Sequence, residues 1–184
     1  VLLVSIAAGI TTSHLESWFG ESAAIVRCMP NTPTLVGMGA SGLFANAKVT
    51  EEQKQLAQEV ISTVGFATWV DADSDIDIVT AISGSGPAYF FLFMEAMQAT
   101  AKEMGLNEDL ARALTYHTAA GAAALAQYSE DDIATLRRNA TSPGGTTEQA
   151  ILKFEDGDLR GLVAKALKAA RTRSVELAEE IDRT

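Results

Sequence analysis

The sequence predicts an α/β segment followed by an all-helical one, and three observations carry that expectation. Short apolar runs rich in β-branched residues, at positions 1–6 (VLLVSI), 24–27 and 66–70, alternate with stretches that can be capped as helices. Asp71, Asp73, Asp75 and Asp77 then mark a change of composition. Beyond them strand signals cease and long helical patterns follow. The boundary is placed there, giving an α/β region over 1–72 and a helical region over 73–184.

The first run, 1–6, reads as a buried strand that needs neighbours on both sides, so further strands are expected upstream of Val1. Ala7, Ala8 and Gly9 follow as a small-residue turn, and Thr12 or Ser13 can cap a helix that reaches Phe19. The second strand, 24–27, gives way to MPNTP at 29–33, where Pro30 and Pro33 lack donors and Asn31 favours a turn. The chain must leave the sheet at that point. A further strand is expected at 42–45, and the spacing of Thr50 to Gln53 makes a capping box for a helix to about Val64. Gly65 ends that helix before the strand at 66–70.

Six helices are expected in the second half, over 76–82, 87–104, 108–127, 130–139, 148–154 and 159–181. Asn107, Ser129 and Asp158 stand where the third, fourth and last of them would be capped. Residues 89–94 (YFFLFM) leave no polar face, which argues for burial on all sides. The run AAGAAA at 119–124 permits close helix approach. An ordinary tight core would account for both, but an obligate helical interface with a second copy accounts for them better.

Composition excludes several classes. With 14 Lys and Arg against 24 Asp and Glu, the net charge of -10 repels a phosphate backbone, so nucleic acid is not an expected partner. One cysteine, Cys28, permits no internal disulfide, and His14 and His117 cannot assemble a zinc spacing. A reducing, cytoplasmic setting fits. The apolar stretch 88–94 is too short to cross a bilayer and Glu95 ends it, so no membrane insertion is expected.

Four clusters could carry chemistry. In SPGGTT at 142–147, Pro143 fixes one turn of backbone and two glycines free the next, ahead of a helix whose first N–H groups have no intrahelical partner. Such a start favours an anion, and the hydroxyls of Thr146 and Thr147 stand beside those donors. Taken alone, it reads better as a turn with an N-cap. SGSGP at 83–87, preceded by Thr80, is either a flexible helix entry with Pro87 in the first turn and Ser85 as cap, or a cradle that admits a flat ring. Residues 7–9 and 29–33 each follow a strand, where ligands sit in an open parallel sheet. Nucleophile elbow, metal cluster and Walker loop are all missing, which shifts the chemistry to a bound cofactor.

Together RCMPNTP at 27–33, SGSGPAY at 83–89 and TSPGGTTEQA at 141–150 closely resemble pyrroline-5-carboxylate reductase, in that family's order and over essentially the whole chain. The resemblance implies the later part of a Rossmann domain followed by a helical dimerisation domain. It also implies NADPH or NADH as cofactor and reduction of a cyclic imino acid to proline by a homodimer or higher oligomer. Carried over, Ala7, Ala8, Gly9, Met29, Pro30, Asn31 and Thr80 would lie beside the cofactor, and Pro87 would wall the substrate pocket. Ser142, Gly144, Gly145, Thr146 and Thr147 would hold the substrate carboxylate, supplied by the partner subunit. Thr80 and Glu130 are the candidate catalytic groups, although a solvated helix front describes Glu130 better. The family's opening strand and glycine-rich phosphate loop have no counterpart here. A β-hydroxyacid dehydrogenase resembles the layout but uses a lysine in the helix entering its second domain, where this chain has only the distant Lys102. A non-catalytic helical dimerisation fragment is the alternative of another class.

Overall fold

The computed structural model describes residues 1–183. The chain forms two compact units, Val1–Ala88 joined by the segment from Ala164 onward, and Tyr89–Val163. These divisions fall later than the boundary after residue 72, because the first helices of the second half pack on the sheet and the last helix returns to it.

The first unit opens with β1 (Leu2–Ser5), α1 (Thr12–Phe19) and β2 (Ala24–Met29). Helix α1 is capped by Thr11, one residue earlier than expected: its hydroxyl accepts from His14 N–H at 3.2 Å, and His14 Nδ1 accepts from Thr11 N–H at 3.2 Å. A 3-10 turn, Thr32–Val36, follows where the prolines stop the strand. β3 (Gly39–Ala45) begins three residues earlier than the sequence suggests, and α2 (Glu51–Ser62) carries the expected capping box of Thr50 and Gln53. β4 (Gly65–Trp69) completes a sheet ordered β1-β2-β3-β4. The pairs β1–β2 and β3–β4 are parallel, whereas β2–β3 is antiparallel. The sheet is therefore mixed: the link from β2 to β3 is a short 3-10 turn, and a parallel return would need a long crossover.

Every residue of β2 is buried. Alternation along the strand sends Val26 and Cys28 to one face, where they join Leu43 and Ala57 of α2 in an apolar core. Ile25, Arg27 and Met29 point to the other face. That face is covered by α3 (Asp75–Val79), which continues through a π turn, Thr80–Gly84, into α4 (Gly86–Glu103). Ser85 does not cap α4, as the sequence suggested. Its N–H donates instead to Thr80 O at 2.8 Å, closing the π turn, so the expected break between helices is a winding defect in one helical run. The run Asp75–Glu103 is long and apolar enough, by length and composition, to cross a membrane, unlike the 88–94 segment weighed alone.

The second unit contains the rest of α4 together with α5 (Glu108–Tyr128), α6 (Ile133–Asn139), α7 (Thr146–Asp156) and the start of α8 (Leu159–Ile181). Asn107 caps α5 by accepting from Leu110 N–H at 2.9 Å. Asp158 accepts from Gly161 N–H at 3.2 Å ahead of α8. Helix α6 starts three residues later than expected because Ser129 is spent on its own turn, its hydroxyl accepting from Asp131 N–H at 3.1 Å. Asp132 caps α6 instead, accepting from Thr135 N–H at 2.7 Å.

The all-round burial expected of residues 89–94 is not met within one chain. Phe90, Phe91, Leu92 and Phe93 are exposed, and so are Leu114, Tyr116 and Leu125 on α5. Only Ala111 and Thr115 of the second unit are buried among the described residues.

Candidate functional site

The candidate residues fall in two groups, one in each unit. In the first unit, β1 and β2 run parallel with Ser5 opposite Arg27, so the segments after both strands leave the sheet at the same edge. Ala7 and Ala8 are exposed there. Gly9 is buried, with φ of 75°, and a Cβ on it would lie 3.0 Å from Leu177 Cβ of α8. The missing side chain at Gly9 thus admits the last helix, while Ala7 and Ala8 stay open to solvent.

Beyond β2, Met29, Pro30 and Asn31 meet the π turn. Asn31 Nδ2 donates to Ser83 O at 3.0 Å, and its Oδ1 accepts from Ala40 N–H at 2.9 Å, tying the turn to β3 as well. A Cβ on Gly84 would stand 3.4 Å from Met29 Sδ. Met29, Pro30, Asn31 and Thr80 are therefore brought together, with Pro87 in the first turn of α4. The Thr80 hydroxyl donates to Ile76 O at 2.7 Å, and Ser83 donates to Val79 O at 3.0 Å. With its proton committed to the helix, Thr80 oxygen offers lone pairs and is an acceptor rather than an acid.

Cys28, one residue from this cluster, is fully buried. Burial pushes its thiol up to about 11, against a smaller opposing effect from a Ser41 hydrogen bond. At neutral pH it is a packed thiol and not a nucleophile.

In the second unit, Gly145 is the N-cap of α7 and has no side chain to satisfy the helix start. Gly144 takes the left-handed conformation, φ 71°, which reverses the chain ahead of the helix. Ser142, Thr146 and Thr147 are exposed. One donor is already taken: Gly144 N–H donates to Glu148 Oε2 at 2.8 Å. This carboxylate, three residues past the N-cap, reaches back as in a capping box and braces the loop. The N–H groups at the head of α7 have no intrahelical acceptor, and the two threonines beside them are exposed, the kind of helix start that suits an anion. Glu130 is exposed in the turn before α6, not on the helix front where the sequence set it.

Sequence reasoning missed three residues that shape these groups: Glu148, Leu177 and Arg27. Arg27 is 1% exposed, and it donates from Nη1 to Asp73 Oδ2 at 2.8 Å and from Nη2 to Asp77 Oδ1 at 3.2 Å. A lone arginine in an otherwise apolar strand, followed by a run of aspartates, was the available signal.

The architecture is that of an α/β unit with an appended helical unit, and solved structures share it. A pyrroline-5-carboxylate reductase from Coxiella burnetii superposes with a TM-score of 0.93 at 49% identity, covering 97% of this chain and 66% of that one. The Plasmodium falciparum pyrroline carboxylate reductase, solved with NADP bound, gives 0.91 at 33% identity, covering 96% and 70%. The family model described as pyrroline-5-carboxylate reductase dimerisation matches residues 73–177, and the chain belongs to that family. Among curated relatives, the pyrroline-5-carboxylate reductase of Pseudomonas aeruginosa is 53% identical over 98% of this chain, and that of Vibrio alginolyticus 47% over 96%. The chain spans 66% and 65% of the length of those two proteins, just under two thirds.

Proposed function

We propose that the polypeptide carrying this chain reduces 1-pyrroline-5-carboxylate to L-proline as a homodimer in the cytoplasm, with NADPH or NADH as hydride donor. The observation that carries this reading is the open start of α7, an 11-residue helix with Gly145 at the cap and Thr146 and Thr147 exposed beside it. A carboxylate fits those donors. Ser142 and Gly144 shape the loop, and Glu148 holds it without filling it.

The cofactor reading rests on the strand ends. Ala7 and Ala8 are small and exposed, and next to them Met29, Pro30 and Asn31 are held against the π turn, an edge that suits a flat ring. When bound, a reduced nicotinamide supplies hydride to the imine carbon. Thr80 oxygen accepts a hydrogen bond from the protonated imine nitrogen, and Pro87 limits the ring's movement. Positioning provides most of the catalysis, since a protonated imine is already electrophilic. Glu130, exposed in the turn before α6, is kept as the second candidate catalytic group.

The exposed apolar helices of the second unit support self-association, since a second copy would cover Phe91, Leu114 and Tyr116 and remove them from water. Lys102 argues against alcohol oxidation: it lies near the end of α4, engaged by Glu108 at 3.2 Å.

Proline formation from 1-pyrroline-5-carboxylate, assayed with NADPH and with NADH, tests the proposal. Combining Gly145→Val with Thr147→Ala is expected to lower kcat/KM at least about tenfold, the loss of one charge-assisted contact set. Unchanged turnover in that double variant would sink the role of the loop.

A further inference from the structure

We propose that Arg27, Asp73, Asp77 and Ser174 form a positioning clamp that fixes the π turn carrying Thr80 at the end of β2. This deepens the function proposed above and rests on it only where the turn is taken to face substrate.

The network is continuous. Arg27 Nη1 donates to both Asp73 Oδ2, at 2.8 Å, and Asp73 O, at 3.2 Å, while Nη2 donates to Asp77 Oδ1 at 3.2 Å. Ser174 of α8, itself buried, donates to the same Asp77 oxygen at 2.8 Å. Asp73 Oδ1 accepts from Thr12 N–H at 3.2 Å, at the start of α1. One guanidinium on the central strand thus ties together α1, α3 and α8.

Stability alone is a poor reason for such a group. Burying an ion pair sacrifices hydration that an apolar side chain would not, and Arg27 Nε is left without a partner. What the charges add is direction. Both acids lie on the segment that leads into the π turn, Asp77 three residues before Thr80. On the far side of the turn, Asn31 of the same chain stretch holds Ser83 O. The turn between these anchors is a winding defect, a form proteins rarely keep without support. Val79 is seated against Gly42, where a Cβ would come within 2.6 Å of its Cγ2, so the helix stands at a fixed height on β3.

The clamp acts through Thr80, so its loss should matter only while Thr80 is present. In the full-length polypeptide carrying this sequence, Asp77→Asn and Ser174→Ala are each combined with Thr80→Ala, and proline formation is measured alongside native-state amide exchange. Asp77→Asn is expected to lower kcat about tenfold and Ser174→Ala about threefold, with KM for the imino acid changed less than twofold. In the Thr80→Ala background both losses should shrink below twofold. Amides of residues 80–85 should exchange at least tenfold faster in Asp77→Asn, with those of α2 unchanged. Equal losses in both backgrounds, or unaltered exchange at residues 80–85, overturns the clamp. A parent protein with no reductase activity would defeat the proposed function instead, and the exchange measurement would still decide the clamp.

Discussion

The two units satisfy their side chains by opposite means. The first buries Ile25, Val26, Cys28, Leu43 and Ile76 and seals a charged network beneath α3, so it holds a core of its own. The second buries only Ala111 and Thr115 among the described residues and leaves aromatic and aliphatic side chains of α4 and α5 in water. A helix pair with that much apolar surface and so little core is finished by something outside it. The difference teaches where each unit finds its support: in internal hydrogen bonds for the first, and, under the proposed self-association, in a second copy for the second.

The largest effect is expected from breaking that assembly. Leu114→Glu, on an exposed apolar stretch of α5, should convert a sedimenting dimer to a monomer or an unfolded chain, and an unchanged dimer would contradict the comparison. Next, Arg27→Met leaves two carboxylates beneath the sheet without their cation. It should cost about 3 kcal/mol in urea unfolding, and a cost below about 1 kcal/mol would show that the first unit does not depend on its network. Asn107→Ala removes the α5 cap and should cost about 1 kcal/mol. The smallest effect concerns Asp132, whose carboxyl is held below its ordinary value, first by the Thr135 N–H and then by the Thr135 hydroxyl. Because the folded value is depressed, its support for α6 is present above the ordinary carboxylate range and is lost as pH falls through the lowered value. Asp132→Asn should flatten the acid dependence of amide exchange in α6 and leave the neutral rates nearly unchanged.

Much of this was legible in the residues. The capping boxes, the prolines after β2 and the Asn107 cap are local chemistry, decided within three or four positions of chain, and so could be read directly. SPGGTT was likewise legible as a helix start, because two adjacent glycines before a run of helix formers leave few other structures. The antiparallel entry of β3 was not, since alternation of side chains is the same for either direction. Nor was the π turn: SGSGP carries the signals of a break, and only packing against β2 and β3 keeps the helix wound through it. The Ser129 cap failed because its hydroxyl accepts from Asp131 N–H in its own turn, and Asp132 accepts from Thr135 N–H at the start of α6 instead.

Gly9 separates the two kinds of knowledge. Its sequence neighbours announce a small-residue turn after a strand, and that much is true of the chain by itself. That the space is taken by Leu177, from a helix 168 residues further on, is a fact of tertiary structure. The sequence by itself determined the order of elements, most caps and the glycine-rich start of α7, because hydrogen bonding and backbone freedom act over short range. Strand direction, the winding at Thr80 and the partners of Arg27 were decided only on folding, because each depends on which distant surface arrives against the sheet.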